Sequence, residues 1–347
     1  MGVTIKDIAR KLGVSTTTVS LVLNNKPSRI SPETRQAVLQ AAAELNYHPN
    51  QIAVSMVTRR TGTIGLLLPD ISNLYFSSLA KVIESECSAL GYNVLYGNTN
   101  DSVENDFKYL ELFLLGRAVD AVILTPSYQL GEEERIRFRG LVESSSIPVV
   151  TVDRRMQQME VPCVCVDQEL GGYLATKHLL SLGHRRIGCI TAQPNVSGSA
   201  ERLRGYRRAL EEAGVPFDPA LVVAGNYHVE SGIQALPILL GQEVSAIFAA
   251  NDMMAIGVLR ECRRFHLRVP EDLSVVGFDD IFLAEFLEPP LTTVYQPLEE
   301  IGREAVHQAA EMLHGAPGGE RIISFKPSLR IRGSTMRWAG AQETAGK

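Results

Sequence analysis

Seven acidic or amide side chains stand directly after short apolar runs in this 347-residue sequence: Asp70 after GLLLP, Asp153 after VVTV, Asp167 after VCV, Asn251 and Asp252 after IFAA, and Asp279 and Asp280 after VVGF. A carboxylate or amide oxygen accepts two hydrogen bonds, so such groups converging on one cleft suit a ligand rich in hydroxyl or N–H donors. Ligands of open parallel sheets bind beyond the carboxyl ends of the strands, where this pattern puts them. The same residue types also cap helices, and for any one of them the sequence leaves both readings open. Tyr75, Phe76 and Tyr227 add rings near the strand ends, able either to stack on a sugar or base or to pack in the core. Arg202, in SAERLRGY, adds a cation at the start of a helix; taken alone it reads as a solvated surface residue.

A different chemistry is written in IKDIARKLGVSTTTVSLVLN, Ile5 to Asn24. Ile5, Ile8, Ala9 and Leu12 follow helical spacing, and Gly13 ends that helix. Ser15 caps a second helix from Thr16 to about Asn24, with Val19, Val22 and Leu23 inward and Thr16, Thr17, Ser20 and Leu21 outward. SPETR opens a third helix with a Ser31 cap, Pro32 in first position and Glu33 at the positive end, running to Tyr47-His48-Pro49. Two helices joined by a glycine turn and followed by a third make the helix-turn-helix plan. Threonine offers a hydroxyl to bases or phosphates and a methyl to thymine. A plain three-helix bundle with a polar outer face is the rival reading.

Charge sorts with these parts. Residues 1–60 hold eight Lys/Arg and three acids, a net of +5, while the remaining 287 residues carry −10. A basic head on an acidic body points to a polyanion partner for the head. Next, Pro49 breaks the third helix, Asn50 can cap a new one, and Gln51 to Val57 gives about two turns, well below the roughly 12–15 residues an isolated helix needs. Arg59, Arg60, Thr61 and Gly62 read as a basic linker.

From Thr63 onward about ten β-like runs alternate with helical ones that end in Gly91, Gly183, Gly214 or Gly241. That βαβ rhythm predicts an α/β body of parallel, doubly wound sheets, and the number of strands fits two lobes better than one.

Several classes are excluded or unsupported. No GxxxxGK[ST], HExxH or GxSxG motif occurs, and none of the seven histidines pairs with Cys or a carboxylate at ligand spacing, so neither enzyme, metal nor cofactor is expected. Cys163 and Cys165 share one face of a strand and read as small core residues. No run is apolar enough to span a bilayer, and the first residues lack a signal-peptide core, so the expected location is cytoplasmic.

TIKDIARKLGVSTTTVSLVLN, ISPETRQAVLQAAAELNYHPN and RTGTIGLLLPDISNLYF resemble the lactose-repressor (LacI/GalR) family of bacterial regulators, and the likeness runs nearly the whole chain. The resemblance implies a repressor that binds a pseudo-palindromic operator as a homodimer under the control of a small effector, with a body like the periplasmic sugar-binding proteins. It implies domains at 1–49 (helix-turn-helix), 50–62 (hinge helix and linker), 63–161 with 292–321 (first lobe) and 162–291 with 322–338 (second lobe). The tail, 339–347, is expected to be disordered. Carried over, Thr16, Thr17 and Leu21 face bases, and Ser15, Thr18, Ser20 and Asn24 touch phosphates. Thr4, Arg29, Asn50 and Ala53 join the DNA-facing set, and Met56 wedges the minor groove, where the family more often has leucine. Tyr75, Phe76, Asp153, Arg202, Tyr227, Asn251 and Asp279 map to the effector cleft. Asn251 with Asp153 looks more like the sugar-responsive members. The purine-responsive alternative has an arginine, Arg154, where the purine repressor has tryptophan, and Val196 in place of an arginine. A sugar receptor with no DNA role is the other alternative; the basic head argues against it.

Overall fold

The computed structural model describes residues 3–23, 29–47, 60–127, 130–156, 159, 161–192, 197–317 and 321–339. The chain divides into two compact units, Met1–Thr61 and Gly62–Lys347.

In the first unit α1 (Ile5–Leu12), α2 (Thr16–Leu23) and α3 (Pro32–Glu44) enclose a small core of Ile8, Ala9, Val19, Val22, Val38 and Ala41. The expected punctuation is present. Gly13 takes the left-handed conformation at φ 65°, which costs a glycine no Cβ clash, and lets Val14 N–H reach the Ala9 carbonyl at 3.1 Å. Ser31 Oγ accepts from Thr34 N–H at 3.2 Å with Pro32 opening the helix. Lys11 and Glu44, 2.5 Å apart, tie α1 to the end of α3. Asn24, Asn50, Ala53, Met56 and the expected hinge helix lie outside the described residues, as does the tail beyond Ala339.

The second unit holds two six-stranded sheets. The first runs β11 (Ile322–Phe325), β5 (Cys163–Val166), β4 (Val149–Val152), β3 (Ala121–Leu124), β1 (Thr63–Leu68) and β2 (Asn93–Asn98), all parallel. The second runs β12 (Ser328–Arg330), β10 (Thr292–Tyr295), β9 (Ser274–Asp279), β8 (Ala246–Ala249), β6 (Ile187–Thr191) and β7 (Val222–Ala224), parallel except that β12 is antiparallel to β10. Helices α4 (Leu74–Ala89), α5 (Val103–Leu110), α6 (Glu132–Ser144) and α11 (Leu298–Leu313) cover the first sheet. Helices α7 (Gln168–Ser181), α8 (Ser197–Glu212), α9 (Val229–Leu240) and α10 (Asp252–Arg264) cover the second. The inner strands of both sheets are almost wholly buried, as parallel sheets with two covered faces require, while the edge strands β2, β7, β11 and β12 are half-buried to exposed.

Strand pairing moves the expected lobe boundaries. Cys163–Val166, assigned to the second lobe from the sequence, pairs with β4 of the first. Thr292–Tyr295, assigned to the first, pairs with β9 of the second, and Ile322–Phe325 returns to the first beside β5. The chain therefore crosses after each of these strands, at Asp167, at Gln296–Pro297 and at Lys326–Pro327. Two edge strands, β11 and β12, were not anticipated at all: both alternate between half-buried and exposed and carry no long apolar run.

Candidate functional site

The crossovers follow carboxyl ends of strands, so those ends from both sheets face each other across one cleft. Its non-atom space, counted out to the open mouth, is about 580 Å³. All seven residues expected to bind an effector line it, together with Asp70, Asn73, Asp101, Arg154 and Gln168.

The strand-end pattern resolves residue by residue. Asp70, Asp153, Asn251 and Asp279 open on the cleft. Asn251 fulfils both readings, since its Oδ1 caps α10 by accepting from Met254 N–H at 2.9 Å while its Nδ2 donates to the Tyr227 carbonyl at 2.9 Å. The other three serve structure: Asp167 caps α7 by accepting from Leu170 N–H at 2.8 Å, Asp252 is buried and accepts from the Thr293 hydroxyl at 2.6 Å, and Asp280 pairs with Arg332 at 2.7 Å.

Arg202 is not the solvated residue that its sequence context alone suggests. It is 6 % exposed, with its Nε donating to Gln168 Oε1 at 2.7 Å, its Nη1 donating to the Ala250 carbonyl and standing 3.9 Å from Asp279 Oδ1. Its guanidinium carbon lies 3.7 Å from the Phe278 ring centroid, a cation–π contact that favours the planar group over a lysine ammonium. Close approach of α7 and α8 puts it there: a Cβ on Gly172 would sit on the Arg202 carbonyl, and one on Gly205 on the Glu169 carbonyl. Gln168 and Gln296 escape sequence reasoning, because glutamines carry no periodic signature. Gln296, in the second crossover, donates to Asp279 Oδ1 at 2.8 Å.

On the opposing side the Tyr75 hydroxyl donates to Asp153 Oδ1 at 2.9 Å, and the Tyr75 and Phe76 rings meet edge to face at 5.1 Å. Arg154 is held by Asp101 and by the Pro126 carbonyl at 3.1 Å, so it walls the cleft rather than hanging into it. Burial alone would lower the Arg154 guanidinium, but the Asp101 carboxylate reverses that and raises it.

Two further features mark the cleft as a working surface. Asp153, Tyr227 and Asp279 have φ of 67°, 68° and 116°, left-handed values that cost of order 1–3 kcal/mol each for non-glycine residues and gather at functional sites. Asp279 is pushed up to about 7 by burial, against the pull of Arg202 and with the help of the Asp153 charge. Burial and the same carboxylates drive Tyr75 well above its usual range, so it stays a neutral donor.

In the first unit Thr16 and Thr17 are exposed at the opening turn of α2, Ser20 and Leu21 are half-buried on the next turn, and Arg29 is exposed. Ser15 Oγ caps α2 by accepting from Thr18 N–H at 3.0 Å, and the two hydroxyls lie 2.9 Å apart. Thr4 caps α1, with both its N–H and its hydroxyl donating to Asp7 Oδ2, at 2.9 and 2.7 Å.

A three-helix head with a hydroxyl-bearing second helix, joined in one chain to a two-lobed ligand-binding body, defines the class of ligand-responsive DNA-binding transcriptional regulators. Residues 4–50 match the model of bacterial regulatory proteins, lacI family, and residues 176–335 match that of the periplasmic binding protein-like domain. The chain is 39 % identical to the HTH-type transcriptional regulator DegA of Bacillus subtilis (strain 168), over 96 % of this chain and 98 % of that protein. It is 35 % identical to the HTH-type transcriptional repressor PurR of Vibrio atlanticus (strain LGP32), over 96 % and 98 %. Among solved structures it superposes on the Lac repressor dimer bound to operator and the anti-inducer ONPF with a TM-score of 0.85 at 28 % identity, covering 97 % of this chain and 100 % of that one. The chain belongs to the lacI family of bacterial regulatory proteins. Among the described residues no helix is long and apolar enough to cross a membrane, and no group of three His, Cys, Asp or Glu side chains could hold a metal ion.

Proposed function

We propose that this chain is a cytoplasmic repressor whose operator affinity is set by a small hydroxyl-rich effector, a sugar or sugar derivative, held between the lobes. The observation that carries this reading is the chemistry of the cleft. Four acceptor side chains, Asp70, Asp153, Asn251 and Asp279, meet one stacked, hydrogen-bonded arginine, Arg202, beside the aromatic faces of Tyr75, Phe76 and Tyr227. Acceptors in excess suit a ligand that presents many donors. The body binds its ligand and returns it unchanged; it is not an enzyme. Two copies set two α2 helices on the halves of a pseudo-palindromic operator. Thr16, Thr17 and Leu21 read bases, and Ser15, Thr18, Ser20 and Asn24 touch phosphates; Thr4, Arg29, Asn50 and Ala53 join the DNA contacts, and Met56 wedges the minor groove. Effector and operator are then linked by a reciprocal coupling of about 1–3 kcal/mol.

Kinship with PurR favours a second reading, a purine-responsive regulator. Against it, Arg154, locked to Asp101, puts a charged group on the cleft wall where the purine repressor has tryptophan. Calorimetric titration of the full chain with sugars, nucleosides and purines separates the two. Saturable heat from a hydroxyl-rich ligand, recovered intact, is expected; binding of purines alone selects the second reading, and turnover of the ligand rejects both.

A further inference from the structure

Behind the effector cleft lies a second opening of about 690 Å³ of non-atom space, counted to its mouth, which shares Asp153, Gln168 and Gly198 with the first. Cys165 lies on its wall. Cys163 and Cys165 project from the same face of β5, while Val164 and Val166 turn to the opposite face and join the main core. Both cysteines are free thiols; Cys163 is buried and Cys165 half-buried.

The spacing decides what such a pair can do. Residues two apart on a strand have Cα atoms roughly 6.6 Å apart. A disulfide tolerates at most about 6.8 Å and prefers about 5.5–6 Å. Strand β5 cannot shorten to meet that preference, because it is hydrogen-bonded on both sides, to β4 and to β11. A linear S–metal–S bridge needs about 4.6 Å between sulfurs, twice a metal–thiolate bond of about 2.3 Å. Parallel side chains reach that separation by small χ1 changes alone. With no third His, Cys, Asp or Glu ligand among the described residues, the geometry selects a cation content with two ligands.

We propose that Cys163 and Cys165 form a two-coordinate thiolate site for a soft, closed-shell monovalent cation, entered through this second cleft. Thiolate ligands select such ions over harder ones. Binding breaks two S–H bonds and forms two S–metal bonds; two protons leave to solvent and no electron moves. The opening is lined by both signs of charge, Asp167, Glu169 and Glu201 with Arg155 and Arg204, and Arg204 stands 3.3 Å from Glu169 and 3.7 Å from Glu201. The other three cysteines, Cys87, Cys189 and Cys262, are buried singly and form no such pair.

Titration of the reduced full chain with Ag(I), read by native mass spectrometry, proton release and the ultraviolet thiolate-to-metal band, tests the site without reference to operator or effector. One ion per chain and release of two protons are expected. Cys165→Ser, at a half-buried position, and Cys163→Val, which keeps a strand-forming residue in the core, each weaken binding at least 100-fold, with folding checked by circular dichroism. A triple Cys87→Ser, Cys189→Ser, Cys262→Ser variant binds as the parent does. Undiminished binding by Cys165→Ser, no binding by the parent, or equal competition by Zn(II) overturns the assignment.

Discussion

Tyr75 and Asp153, 78 residues apart in the chain, are joined by a 2.9 Å hydrogen bond from the phenol to the carboxylate. The Tyr75 hydroxyl also lies 3.5 Å from Gln296 Oε1, and the Gln296 amide donates to Asp279. The two sheets are thus connected through the floor of the cleft by side chains that a ligand would contact.

Tyr75→Phe removes the donor and leaves the Asp153 oxygen without this partner. A hydrogen bond to a charged group contributes about 1.5–3 kcal/mol. The denaturation free energy of the body should fall by about that amount, measured by urea unfolding; an unchanged midpoint would show that water replaces the phenol without loss.

Arg202→Ala should abolish the ligand response, by about 2–5 kcal/mol for a truncated buried charge partner, yet leave operator binding in the absence of effector intact. Arg202→Lys should rescue little, because an ammonium cannot reproduce the stack on Phe278 while bonding both Gln168 and Ala250. A full response in either variant removes Arg202 from the ligand site.

The raised Asp279 carboxyl makes ligand affinity depend on pH. Its folded value, about 7, lies above the ordinary 3.8, so folding favours its protonated form. Stability is therefore unaffected by this group below about pH 4, declines as pH rises from there to about 7, and levels off above. A ligand that donates hydroxyl protons to Asp279 should bind more tightly at pH 8 than at pH 6. Asp279→Asn should flatten that dependence and stabilise the free body at pH 8. Calorimetry and thermal melts at the two pH values check both signs.

Gly172→Ala should force α7 and α8 apart, since the added Cβ meets the Arg202 carbonyl. Overpacking of this kind costs about 1–3 kcal/mol. Thermal unfolding should register that loss, and ligand affinity should fall with it as Arg202 moves from Gln168.

Thr17→Ala in α2 should weaken specific operator binding by about 1–3 kcal/mol while leaving competitor DNA binding and the salt slope unchanged. Equal losses on operator and random duplex, compared in gel-shift titrations, would place Thr17 outside base readout.

Much of this was legible in the residues. Gly13, Ser31 and Pro32 mark their helix ends in plain chemistry, and the four cleft acceptors stand where apolar runs stop. What was not legible has specific causes. Val, Ile and Leu runs announce a strand but not its neighbour, so Cys163–Val166, Thr292–Tyr295 and Ile322–Phe325 were given to the wrong lobes. Asp167, Asp252 and Asp280 look like Asp153 and Asp279 in sequence, yet a helix cap, a buried threonine and Arg332 claim them. Arg202 looked solvated because its two closest partners, Gln168 and the Ala250 carbonyl, are distant in the chain and bear no charge.

Parallel strands give each lobe a polarity that constrains how a signal can leave it. The cleft lies past the carboxyl end of β1, whereas the chain enters that strand at the other end, where Gly62 N–H donates to Asp120 at 2.9 Å and Asn93 N–H donates to the Gly62 carbonyl at 2.9 Å. Six residues of extended chain separate the two ends, roughly 20 Å. A ligand confined to the cleft does not touch that entry, and β1 itself is the covalent path between the two.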